Sequence, residues 1–393
     1  MKEIYFDNSA TTPLSPSCAE RVCNTLKNVY ANPSSLHTKG YESRLIVEDA
    51  RKKILSTLGT DTQRHKLVFC GSGSEANNLA ILGVVRSKKW HFTPKILVGE
   101  GEHPSVTKCA EQLSREGVEV VYIPTKSGAL DMERIEAEAD KRVVLCSFMT
   151  VNNATGALYD VKRAFSLVKA KSPDAVCHTD CVQAYMKVMI NAGSSGADLI
   201  SISAHKIHGP KGVGALIISP EIIKRRLLAP VIYGGGQEAG LRAGTENTAY
   251  IAGFAEAAAE ARAEMADFSR SAEEIYSYIS NSIENDEALS GFSINRPARH
   301  VPYIISITTP NIKSETMLHF LSGEGIYVSS GSACSSHSKD PSPALSAFGL
   351  SPDAADRTIR VSLSRYNTLD EAKAFVEVLR KGASTLVGYK KVK

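Results

Sequence analysis

Seven short runs rich in Val, Ile and Leu constrain the fold of this chain more than any other feature. They are KLVFCG near residue 66, KILVGE at 95, VEVVYIP at 118, RVVLCSFMTV at 142, AVCHTD at 175, DLISISAHK at 198 and GALIIS at 214. Helical patterns fall between most of them, as at 74–88 and 161–171. Strands apolar along their whole length are buried on both faces, and their alternation with helices predicts an α/β domain around a mainly parallel sheet. Such sheets bind ligands beyond the carboxyl ends of their strands. Several runs end there in polar or chargeable residues: Asp180, Ser203, His205 and Lys206.

Beyond residue 246 the pattern changes. Residues 247–284 read as one long Ala/Glu/Arg-rich helix, followed by YIISITT, a helix from about Ser314, GIYVSS, TIRVSLSRY and a closing helix over 369–386. That is a small α+β unit. The expected organisation is an N-terminal segment (1–15), a large domain (16–250) and a small C-terminal domain (251–393), in keeping with 393 residues. The net charge of +4 is small and dispersed, which argues against nucleic-acid and membrane-surface partners. No leader-like apolar segment and no run of ~18 apolar residues occurs, so a cytoplasmic protein is expected. The eight cysteines include no C-x-x-C and match no zinc spacing, so neither structural metal nor disulfides are expected.

Five stretches carry chemistry. In SISAHKIHGPKGVGAL, Lys206 follows a strand directly and precedes a Gly/Pro-rich turn, flanked by the donors Ser203 and His205. This suits a phosphate beside a Schiff base. In CHTDCVQAY, Asp180 ends a buried strand, where a carboxylate is costly unless a cation meets it. It serves equally as a helix cap; the ring nitrogen of pyridoxal phosphate is a cation that would complete it. FCGSGSEANNLAI reads as strand, Gly-rich turn and helix. Its open amides, the close approach allowed by Gly71 and Gly73, and the Ser74 hydroxyl all favour phosphate. It is not a Walker loop. His103 in GEHPSV is placed to stack on an aromatic cofactor, and Asn152 and Asn153 in TVNNATGALYD to bond a phenolic oxygen or cap a turn. Last, Cys334 sits in VSSGSACSSHS among small polar residues, an unusual setting for a residue that is normally buried.

In their order, these stretches together with YFDNSATTPLSP, ANPSSLHTKG, GGGQEAGLRAGTEN and IRVSLSRY resemble the cysteine desulfurases, the NifS/IscS-like branch of the class V aminotransferase family. The likeness runs from Tyr5 to about Arg380. It implies the type I fold of pyridoxal-phosphate enzymes. It also implies that Lys206 bonds the cofactor, Asp180 pairs with the ring nitrogen and His103 stacks on the ring. Asn153 and Gln183 would face the ring and its phenolic oxygen. Gly73, Ser74, Ser203 and His205 would hold the phosphate, and Thr245 would reach the phosphate in a neighbouring subunit, which makes a homodimer the expected unit. Arg360, with Asn32 nearby, would clamp the substrate carboxylate.

The implied reaction converts L-cysteine to L-alanine. Lys206 moves the α-proton, Cys334 takes the sulfur as a persulfide, and His103 accepts the thiol's proton. The sulfur then passes to an acceptor protein for iron–sulfur cluster, thiolated tRNA or other cofactor synthesis. Two departures from the family pattern stand out. The phosphate turn reads Cys70-Gly71-Ser72-Gly73-Ser74, losing its first hydroxyl, and Ala154 replaces the usual acidic residue. The chain also lacks the longer tail some relatives use for docking a scaffold, leaving the acceptor open. A selenocysteine lyase on the same scaffold is the alternative. A sulfur carrier without cofactor is disfavoured by Lys206, Asp180 and His103 together, and a transaminase would leave Cys334 unexplained.

Overall fold

The computed structural model describes residues 3–330 and 342–388. Its strands, in chain order, are β1 (Ile4–Tyr5), β2 (Lys66–Cys70), β3 (Lys95–Gly99), β4 (Glu119–Ile123), β5 (Val143–Ser147), β6 (Val176–Asp180) and β7 (Leu199–Ser203). They continue with β8 (Gly214–Ile218), β9 (Ser293–Ile294), β10 (Ile304–Thr308), β11 (Ile326–Tyr327), β12 (Ser329–Ser330) and β13 (Thr358–Ser362). The seven apolar runs are β2 to β8. They form one sheet in the order β2-β8-β7-β6-β5-β3-β4.

The sheet is parallel except at β8, which runs antiparallel to both β7 and β2. The reason is the length of the link. Residues 204–213 are too few for the crossover of a dozen or more residues that a parallel return needs. The chain turns back at once, and that turn carries Lys206. It is tight: a Cβ on Gly209 would lie 2.8 Å from the Cβ of Ala204.

Successive residues of each strand serve opposite faces. Val68 and Cys70 pack with the helices Gly73–Val85 and Pro104–Arg115, whereas Leu67 and Phe69 pack with Thr38–Thr57, Val161–Lys171 and Thr248–Asn285. Both helical layers are needed because both faces are apolar. The long helix starts at the Asn247 cap, whose side chain accepts from the Tyr250 amide. At 1.5 Å per residue its length of 38 residues spans about 57 Å. It meets the helices Pro16–Asn28 and Thr38–Thr57 and also the C-terminal helix Leu369–Gly388.

The antiparallel sheet β12-β13-β10-β9 lies in the C-terminal part of the chain. The N-terminal residues join that part: β1 pairs with β11, and Asp7 bridges to Ser362 at the end of β13. The segment that follows then runs back toward the turn after β7, where Thr12 Oγ1 donates to the His205 carbonyl and accepts from the His208 amide.

His178 lies within β6 at 0% exposure, its Nδ1 2.8 Å from Ser147 Oγ and its Nε2 3.0 Å from Ser201 Oγ. Burial pushes its pKa from 6.5 down to about 3. The folded state therefore binds a proton less readily than the unfolded one. This contribution to stability is full above pH 6.5 and is lost as pH falls toward about 3. Chemical unfolding at pH 7 and pH 5 should show a loss on the order of 1 kcal/mol per pH unit from this group. His178→Gln should flatten that slope; an unchanged slope would refute the assignment.

Candidate active site

A cavity of about 330 Å³ opens beyond the carboxyl ends of the central strands. Gly73, Ser74, His103 and Asn153 line it, and so do Asp180, Gln183, Ser203, His205, Lys206 and Arg360. A larger hollow of about 700 Å³, between the helix Thr38–Thr57 and residues 236–246, contains none of these residues. Its main feature is the two-pronged pair of Arg51 and Glu238, at 2.9 and 3.0 Å.

Lys206 Nζ donates to the carbonyls of Ser9 at 2.7 Å and Ala10 at 2.6 Å. Gln183 Nε2 donates to the same Ser9 carbonyl at 2.9 Å. Asp180 ends β6 and is 6% exposed. One of its oxygens accepts from Asn77 Nδ2 at 2.7 Å and the other from the Val182 amide at 2.8 Å. Both bonds hold the carboxylate in place with acceptor capacity remaining for a cation.

His103 caps the helix Pro104–Arg115, and its Nδ1 accepts from the Ser105 amide at 3.1 Å. An amide only donates, so the neutral ring carries its hydrogen on Nε2. Burial lowers the pKa of His103; Asp180 opposes that and Lys206 adds to it. Burial likewise pushes His205 down to about 3, with Lys206, Lys211 and Lys187 adding to the effect. At neutral pH both rings are therefore uncharged.

Arg360 stands in the middle of β13, 353 residues from its ion-pair partner Asp7, whose Oδ1 is 2.8 Å from Arg360 Nη2. Its Nη1 donates to the Asn153 carbonyl at 3.0 Å. Ser203 Oγ, Gln183 Oε1, Asn77 Oδ1, Ser9 Oγ and Arg360 Nε are buried with no hydrogen-bond partner among the described residues, and all five belong to cavity-lining residues. Each such group costs about 1–3 kcal/mol unless a guest satisfies it. This set fits a polar, anionic and aromatic cofactor such as pyridoxal phosphate. Donors gather at the start of the helix Gly73–Val85 and around Ser203, while a buried carboxylate waits on the other side.

The end of the cavity at the start of the helix Gly73–Val85 is closely built. Ser72, not Ser74, caps the helix, accepting from the Glu75 amide at 3.1 Å. The altered turn is supported elsewhere: Glu75 accepts from the Gly71 amide at 2.8 Å and pairs with Arg242 at 2.9 Å. Two expected site residues lie outside the cavity. Asn32 is exposed and its side chain accepts from the Ser34 amide, closing a local turn; Thr245 is exposed on the loop before the long helix. Cys334 lies outside the described residues. Sequence reasoning missed Asp7, Ser9, Ala10 and Asn77. Asn77 had a signal, one helical turn beyond Ser74, but nothing local links Asp7 to Arg360.

The class-V aminotransferase model matches residues 4–375. "Cysteine desulfurase IscS" of Shewanella baltica (strain OS185) is 36% identical over 393 residues, 98% of this chain and 93% of that relative. A solved "NIFS-LIKE PROTEIN" superposes with a TM-score of 0.89 at 32% identity, covering 98% of this chain and all of that one. "SspA in complex with cysteine" superposes with a TM-score of 0.79 at 29% identity, covering 93% of this chain and all of that one. The chain belongs to the class-V aminotransferase family of pyridoxal-phosphate enzymes. Its activity is that of a cysteine desulfurase of the NifS/IscS type.

A Cβ on Gly73 would stand 2.6 Å from Val182 Cγ2 and 3.3 Å from Ser203 Cβ, at the start of the helix that faces the cavity. Gly73→Ala should therefore weaken cofactor retention about tenfold, a loss of ~1.4 kcal/mol, with the fold intact. Dialysis followed by visible absorbance and circular dichroism checks this; full retention would show that the helix start does not cradle the cofactor.

Proposed function

We propose that Lys206 is the lysine that bonds the cofactor and then carries the α-proton of L-cysteine. The observation that supports this is the convergence of Lys206, Asp180, His103 and Arg360 on one cavity at the sheet's carboxyl edge. Pyridoxal phosphate supplies an electron sink for the charge left when that proton departs. Asp180 keeps the ring nitrogen protonated. Ser74, Ser203, His205 and the backbone at Gly73 hold the phosphate, while Asn153 and Gln183 orient the ring. Arg360 receives the substrate carboxylate. Its Asp7 partner aims the guanidinium, and its buried Nε is one of the donors a carboxylate would satisfy.

Cys334 is the sulfur carrier. Its thiolate attacks the substrate sulfur, an S–S bond forms, and the C–S bond breaks with its electrons left on the carbon skeleton, which is protonated to alanine. The reach supports this. Ser329, in register with Arg360 across β12 and β13, precedes Cys334 by five residues, at most ~18 Å of extended chain. The tautomer of His103 bears on its part. With hydrogen on Nε2 the ring's basic nitrogen is Nδ1, which must release the Ser105 amide before it can take the proton of the thiol.

The same reading makes the working unit a homodimer. Tyr30 is 77% exposed, Leu36 100% and Tyr233 80%, and they lie in or beside the chain segments that border the larger hollow. These apolar groups call for a cover, and a second copy would also bring Thr245 and Asn32 to a neighbouring cavity. Among the described residues no helix is long and apolar enough to cross a membrane. The composition suits a cytoplasmic enzyme that hands sulfur to an acceptor protein, iron–sulfur assembly being the destination that the IscS-named relatives suggest.

Alanine and sulfide formed from L-cysteine in the presence of a thiol reductant test the reading. Wild type should give equimolar products, and Lys206→Ala none. Cys334→Ser should keep the cofactor spectrum and lose sulfide release by at least a hundredfold. Undiminished sulfide from Cys334→Ser would remove Cys334 from the reaction.

A further inference from the structure

Three hydrogen bonds connect Asp180 to His103 along the wall of the cofactor cavity. Asn77, 1% exposed on the helix Gly73–Val85, donates from Nδ2 to Asp180 Oδ2 at 2.7 Å and to Ser105 Oγ at 2.9 Å. Ser105 Oγ in turn lies 2.8 Å from Nδ1 of His103. The direction of each bond is fixed. A carboxylate oxygen accepts, so the Asn77 amide must turn its nitrogen toward Asp180, and the two hydrogens of that nitrogen serve the two bonds. His103 Nδ1 accepts from the Ser105 amide and so carries no hydrogen of its own. The hydroxyl hydrogen of Ser105 therefore points at Nδ1, while the oxygen that bears it accepts from Asn77. Asn77 Oδ1 is buried with no partner among the described residues, so its nitrogen alone holds the amide in place. The reaction as read above gives Ser105 no part beyond its backbone.

We infer that Ser105 and Asn77 are positioning residues for His103: the Ser105 hydroxyl, kept in its orientation by Asn77, occupies Nδ1 and holds the ring as a neutral, weakly basic Nε2–H tautomer. This rests on the reading of His103 and Asp180 given above. A hydrogen bond donated to the neutral form of a base disfavours its protonation. Two donors, an amide and a hydroxyl, meet Nδ1, and a proton arriving there must displace both. The hydroxyl cannot simply turn about to accept from a protonated ring. Its own hydrogen would need a new acceptor, and the Asn77 nitrogen beside it only donates. Asn77 thus acts on His103 through Ser105, and the same amide pins Asp180. One side chain sets both the group assigned to the ring nitrogen and the group assigned to the face of the ring. The charged and titratable groups facing His103 are Asp180 on β6 and Lys206 on the turn after β7. His205 and Arg360 stand on the walls of the same cavity, and the buried Glu102 precedes His103 in the chain. Burial and the Lys206 charge act in the same direction as the hydroxyl, and Asp180 acts against it.

The test is the titration of His103 in the cofactor-loaded enzyme, read by NMR with isotope-labelled histidine and assigned by the signal lost in His103→Gln. At neutral pH the wild-type ring should carry its hydrogen on Nε2; hydrogen on Nδ1 would overturn the inference. Ser105→Ala should raise the His103 midpoint by about 0.5–1 pH unit, a three- to tenfold gain in proton affinity. Ser105→Thr, which keeps the hydroxyl, should stay near wild type. Asn77→Leu should raise the midpoint as well, and the double variant no further than Ser105→Ala alone, because the amide acts through the hydroxyl. An unmoved midpoint in Ser105→Ala overturns the inference, as do equal shifts in the Ala and Thr variants, since packing alone would then explain them. Additive shifts in the double variant refute the part of Asn77. Should Asn77→Leu fail to fold, the Ala and Thr variants of Ser105 decide. Unchanged cofactor spectrum and turnover in His103→Gln would instead refute the part given to His103 at the cofactor, a distinct result.

Discussion

An ammonium group at the end of β7 must find oxygen, and Lys206 finds it in the carbonyls of Ser9 and Ala10. Those two hydrogen bonds join the parts of the molecule on which the site depends. The lysine is there because the link 204–213 is too short for a crossover and forces β8 back beside β7. The carbonyls are there because the N-terminal segment is anchored first to β11 and β13 and then to the turn itself through Thr12. The reactive amine is thus held between the large sheet and a segment tied to the small one. On the proposed reading, bonding of the amine to the cofactor would take a donor from these carbonyls and so link the chemistry to the N-terminal segment.

The site is also a problem in charge. Lys206, Lys187 and Arg360 bring positive charge close together in a poorly solvated region, against Asp180 and Asp7. Each acid is separately held: Asp7 pairs with Arg360, and Asp180 is fixed by Asn77 and the Val182 amide, free on the proposed reading to meet the cofactor ring. The excess of positive charge matches what the cavity would hold on the proposed reading, a phosphate and an amino-acid carboxylate. Burial, with the Lys206 charge adding to it, keeps His103 and His205 neutral, so that on the proposed reading both would enter the reaction as hydrogen-bonding groups and not as cations.

Much of this was legible in the residues themselves. Each of the seven apolar runs became a strand of the large sheet, because runs of Val, Ile and Leu buried on both faces have few alternatives. The long helix and the closing helix fell close to their expected limits, since nothing in 248–285 breaks the pattern. Lys206, Asp180, His103 and Ser74 could be singled out because strand ends and helix starts announce themselves locally. The antiparallel return of β8 was less visible: the run GALIIS reads the same in either direction, and only the length of the link decides it.

What the chain determined alone was its set of elements and the reactive groups at their ends, because those depend on contacts within a few residues. The pairings across hundreds of residues were decided by the tertiary structure. Asp7 meets Arg360, Ser9 and Ala10 meet Lys206, and Lys187 comes to line the same small space as Lys206. No local pattern encodes such meetings, because they follow from how β1 and β13 and the turn after β7 are packed together. The charge state of each buried group follows from the same packing, since desolvation is a property of the assembled interior and not of the residue.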